Sequence, residues 1–143
     1  MPFDPNNRIV KLCAEGMEFD GQGKKSEASK LFQQAWNEAT SDLDRFIAAH
    51  YVARLQEKVE DKLQWDKTAL ELALRIGDAN VKASLPSLYL NVGKCYEDLS
   101  DFSNAKEHYK LALSFIHLLP EDGYGKMIRS GIMGGIERLE KCG

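Results

Sequence analysis

The stretch from Asn91 to Leu113, NVGKCYEDLSDFSNAKEHYKLAL, sets small and aromatic residues at helical spacings: Gly93, Tyr96, Ala105, Tyr109 and Ala112. The same pattern stands 77 residues earlier, where Leu12 corresponds to Tyr89, Gly16 to Gly93, Phe19 to Tyr96, Ala28 to Ala105, Phe32 to Tyr109 and Ala35 to Ala112. One offset that relates six pairs marks a duplicated structural unit. Glycine lets two helices approach, alanine fills the opposing tight place, and the aromatics fill the wider gaps. Each copy therefore predicts an antiparallel pair of helices.

The remaining sequence extends this reading along the chain. A first helix over about 5–20 has Asp4 available as a cap and Pro5 in the first turn. GQGKKSE breaks it, and Ala28, Leu31, Phe32, Ala35 and Trp36 stripe a second helix that ends near Ala39. Ser41 or Asp42 can cap a third helix reaching Leu55, and a fourth carries Leu63 to Ile76. Between those two, QEKVEDK contains neither Gly nor Pro, so one long bent helix stays open. Gly77 and Asp78 stop and restart the chain before a fifth helix over about 79–99, with Pro86 either kinking it or lying near its start. Asp101 or Ser103 caps a sixth that runs to about Leu118, and a last helix covers about 125–141. Its adjacent Gly134 and Gly135 cost about 1 kcal/mol each relative to alanine, which requires close backbone packing or a local interruption. No segment alternates as a strand. The chain predicts an all-α fold of about seven helices in one domain spanning 1–143, with hairpins at about 5–40, 42–76 and 79–118 and a C-terminal capping helix.

VGKCYEDLSDFSNAKEHYKLAL and EGMEFDGQGKKSEASKLFQQA both resemble the tetratricopeptide repeat family, whose pattern places Gly, an aromatic, Ala, an aromatic and Ala at these positions. Phe46, His50, Ala53, Lys62, Asp66 and Ala69 take the corresponding places of a middle repeat, with His50 replacing the glycine and Lys62 the first alanine. Gly16 to His50 is 34 residues and His50 to Gly93 is 43, as in longer variants of the family; a further 43 reaches Ile136, with Ile132 and Gly135 available to pack in a final unpaired helix. The resemblance covers nearly the whole chain. It implies a right-handed superhelical solenoid of stacked hairpins, which binds a peptide or protein surface on the concave face formed by the first helices.

The resemblance assigns to that face Cys13 and Met17 from the first hairpin, Ile47, Tyr51 and Arg54 from the second, and Leu90, Asn91, Lys94 and Glu97 from the third. Arg54 and Lys94 could hold a carboxylate or carbonyl groups, and Asn91 could both donate and accept. Val10, Cys13 and Met17 lack the polar character of the family's carboxylate clamp, so an apolar peptide or a partner helix is expected. Trp36 and Trp65 are expected to pack between repeats, and Met133 with Gly134 and Gly135 to pack in the cap, a surface for self-association being the alternative.

The totals narrow the chemistry. A net charge of −3, from 19 basic against 22 acidic residues with no basic run, argues against nucleic-acid binding. Cys13, Cys95 and Cys142 are too few and too dispersed for a secreted disulfide scaffold, and no apolar run is long enough for a membrane span, so a cytoplasmic chain is expected. His50, His108 and His117 have no zinc-module spacing, no CxxC pair exists, and neither Cys13 nor Cys95 sits in a nucleophile motif. GQGKKS is not a phosphate loop and GIMGG is not a dinucleotide turn. No metal, cofactor or catalytic residue is expected. The expected function is that of a non-enzymatic adaptor or regulatory subunit that binds a protein or peptide. The alternatives are a self-assembling structural subunit and, from another class, a small helical enzyme with a pocket near His50 and Cys95.

Overall fold

The computed structural model describes residues 3–142, and the side chain of Cys142 lies outside that description. The described residues are all-α, with eight α-helices, one short 3-10 turn and no strand. They divide into two compact units, one running to Ile76 and one starting at Gly77.

The first unit contains α1 (Arg8–Gly21), α2 (Lys25–Glu38), α3 (Asp42–Arg54) and α4 (Val59–Ile76). Helix α1 starts three residues later than the sequence suggests, because Asn7 and not Asp4 caps it: Asn7 Oδ1 accepts from the backbone N–H groups of Ile9 and Val10 at 2.8 and 3.1 Å. Gly23, at φ +78°, makes the turn into α2. Ser41 is the cap of α3, its Oγ accepting from the Asp44 N–H. The open question at QEKVEDK resolves as a break at residues 55–58. Gln56 Nε2 donates to the Val52 carbonyl at 3.1 Å, so a side chain satisfies an end-of-helix acceptor where no glycine is present.

The hairpin α1–α2 packs as the small-large pattern demands. A Cβ added at Gly16 would lie 2.4 Å from Cε1 of Phe32, and Phe32, Ala28 and Ala35 are buried. Phe32 also stacks on Tyr51 of α3, with centroids 5.4 Å apart. Its ring thus fills the space between its own partner helix and the first helix of the next hairpin. Trp36 and Trp65 meet edge to face at 4.9 Å, joining α2 to α4 as expected of packing residues.

The second unit contains α5 (Ala79–Lys82), α6 (Leu85–Asp98), α7 (Phe102–Ser114), a 3-10 turn over Ile116–Leu118, and α8 (Gly123–Cys142). The expected fifth helix is therefore two helices. Pro86 lies in the first turn of α6, where its missing N–H costs nothing and where a continuous helix would meet its ring. Asp101 caps α7 through the Asn104 N–H at 3.3 Å. The chain leaves α-geometry after Ser114, four residues before the expected end of the sixth helix.

Tyr109 pins this unit. A Cβ on Gly93 of α6 would lie 3.0 Å from its ring, and one on Gly135 of α8 would lie 2.5 Å from it. The glycine pair does not interrupt α8. Gly135 is bare because the Tyr109 ring needs the space, and Ile136, where the repeat interval pointed, packs beside it against the cluster of Ala105, Tyr109 and Leu139.

Candidate binding surfaces

The nine residues assigned to the inner face fall into both units. In the first, α1 and α3 are neighbours, and they bury Cys13 and Ile47 at 1% and 4% exposure. These two are packing residues first. Met17 and Tyr51 are half-buried, and Arg54 is exposed at the C-terminal end of α3. Arg54 Nε donates to Asp20 Oδ2 of α1 at 3.0 Å. That pair ties α1 to the end of α3; the sequence reading did not name Asp20, although its position one turn after Met17 on α1 was available as a signal.

In the second unit Leu90 is half-buried against α8, where a Cβ on Gly131 would come within 2.9 Å of its Cδ2. Asn91 is half-buried and Lys94 exposed, the latter pairing with Asp98 one turn along α6. Glu97 is engaged inside the unit: it accepts from Tyr109 Oη at 2.6 Å and from Arg138 Nε and Nη2 at 2.8 and 3.0 Å. The Arg138 guanidinium, then the Tyr109 hydroxyl, hold its carboxyl below the usual carboxylate range, against the opposing effect of burial. Glu97 thus ties α6, α7 and α8 together, a role invisible in the sequence because Arg138 lies 41 residues away.

The residues that the resemblance would assign to a middle repeat lie inside the first unit. Lys62 Nζ contacts Asp66 Oδ2 at 2.6 Å, and Asp66 is only 2% exposed. Among the described residues, the buried His50 Nδ1 has no hydrogen-bond partner. Burial pushes the imidazole pKa down; Asp66 pulls it up, and Lys62 and Arg54 push it down further. His, Lys and Asp thus stand where the outer repeats have Gly, Ala and an aromatic.

A cleft of about 680 Å³ opens in the first unit, between one face of α2 and the turn that follows α3. Arg54 lies on it together with Lys25 and Lys30. Neither His50 nor Cys95 lines it, and those two residues belong to different units. Burial raises the Cys13 thiol pKa to about 12, which leaves it a poor nucleophile at neutral pH. Among the described residues no group of three or more His, Cys, Asp or Glu is placed to hold a metal ion, and no helix is long and apolar enough to cross a membrane. No protein-family model, curated protein or solved structure matches the chain.

Proposed function

We propose that this chain is a non-enzymatic interaction module, an adaptor or regulatory subunit of the tetratricopeptide kind, that holds a peptide or a partner helix against its first helices in the cytoplasm. The observation that carries the reading is the pair of neighbouring helices α1 and α3: Met17 and Tyr51, only half-buried, leave apolar surface on them, and the exposed Arg54, held by Asp20, stands one turn after Tyr51. An apolar floor beside a positioned cation suits a side chain inserted next to a backbone carbonyl or carboxylate. Asn91 and Lys94 on α6 supply polar contacts of the same kind in the second unit.

Capture of partners from native cell extract, using the wild-type chain and the variants Tyr51→Ala, Arg54→Glu and Lys94→Glu, tests this reading. The expected result is a discrete partner retained by wild type and weakened about ten-fold or more by Tyr51→Ala and Arg54→Glu, as for a central contact residue, with helical circular dichroism unchanged. Equal retention by all the folded variants contradicts it.

A further inference from the structure

GQGKKSE, which the sequence alone presents as a hydrophilic turn, opens onto the cleft of the first unit. Lys25, Ser29 and Gln33 are spaced by four along α2, and Ser26 and Lys30 run beside them, so one helical face presents two ammonium groups, two hydroxyls and an amide to the same space. The opposite wall, from the end of α3 into the following turn, brings Arg54, Gln56 and Glu57.

Three cations and one carboxylate line the space, and with Asp20, which pairs with Arg54 from outside the lining, the local excess is one positive charge in a chain whose total is −3. Among the described residues neither Lys25 nor Lys30 makes an ion pair, whereas Arg54 engages Asp20 through its Nε. Two lysines on one helical face that no carboxylate pairs repel one another, and a ligand that neutralises them removes that cost. A carboxylate offers two acceptor oxygens, fewer than the ammonium and hydroxyl donors present. A phosphate monoester carries about −1.5 to −2 at neutral pH and three acceptor oxygens, which suits the two lysines that make no ion pair and the hydroxyl and guanidinium donors beside them.

We propose that this cleft is a binding site for a phosphate monoester, engaged by Lys25, Lys30 and Arg54 as cations and by Ser26 and Ser29 as hydroxyl donors. The site goes beyond the proposed function; it shares Arg54 with the α1–α3 face, and its test therefore rests on Lys25 and Lys30, which that face does not use. Glu57 opposes the anion and sets its affinity.

Titration of the intact chain with inorganic phosphate, followed by backbone amide NMR, tests the site. Saturable shifts confined to residues 24–33 and 54–57 are expected, and they weaken as ionic strength rises. The double variant Lys25→Gln/Lys30→Gln, altered only at exposed positions, weakens binding about ten-fold or more, the effect of losing charge-assisted contacts, while Glu57→Gln tightens it. Parallel titrations with a phosphoserine peptide and with a hexose phosphate separate the sources. Tighter binding of the peptide identifies a phosphorylated protein, tighter binding of the sugar identifies a small metabolite, and equal binding supports recognition of the phosphate group alone. Absence of saturable shifts with all three ligands, or shifts undiminished in the double lysine variant, overturns the site.

Discussion

Single atoms decide where this chain can bend its repeat pattern. Gly16 faces the buried Phe32 ring so closely that a methyl group would overlap it, whereas a Cβ at Gly21 would have no neighbour within 4 Å. Overpacking costs about 1–3 kcal/mol and the helix gains about 1 kcal/mol when Gly becomes Ala. Urea denaturation should therefore find Gly16→Ala destabilised by about 1 kcal/mol or more and Gly21→Ala stabilised by about 0.4–1 kcal/mol. His50 adds a pH dependence of the opposite origin to a surface ion pair. Its folded pKa is depressed, chiefly by burial, so the unfolded chain takes up its proton first as pH falls below about 6.5. The contribution of His50 to stability is present above that pH and declines below it, down to the folded value. His50→Gln should flatten the stability curve in this window, and a curve with the same slope as wild type would assign the dependence elsewhere.

At the level of helices, the contacts that join one element to the next come from residues far apart in the chain. Arg138 of α8, Glu97 of α6 and Tyr109 of α7 meet at one carboxylate, whose side chain is 15% exposed. Because the folded pKa of Glu97 lies below the ordinary value of about 4.3, its contribution is complete above that pH and is lost as pH falls through the folded value. Glu97→Gln should lower stability at neutral pH by about 1–2 kcal/mol, within the range for a charged hydrogen-bond partner reduced by the exposure of Arg138. The difference from wild type should shrink in acid, as chemical denaturation across pH would read. Element boundaries follow a similar rule. Asn7 displaces Asp4 as the cap of α1, and Gln56 ends α3 by bonding back to Val52, because a side chain can close a helix wherever its geometry reaches. Asp4 and Asn7 are both capping residue types, so residue type alone could not choose in the first case, and the second has no Gly or Pro stop signal.

Across the molecule, the all-α class was legible because Gly16, Phe32, Gly93 and Tyr109 obey local helical spacing, and the structure brings each glycine against its aromatic. Gly135 was legible only as a choice between packing and interruption; the Tyr109 ring decides for packing. The candidate surfaces were less legible. Cys13 and Ile47 share the period of the inner face yet are buried, since periodicity gives a direction around a helix and not a depth. The cleft beside Lys25 escaped notice because its walls come from α2 and from a turn more than twenty residues later. The proposal that first helices carry the binding is tested most directly by amide hydrogen exchange of the whole chain, free and with the captured partner. Added protection concentrated in α1, α3 and α6 is the predicted result; protection concentrated in α2, α4 and α7, with the first helices unchanged, would contradict it.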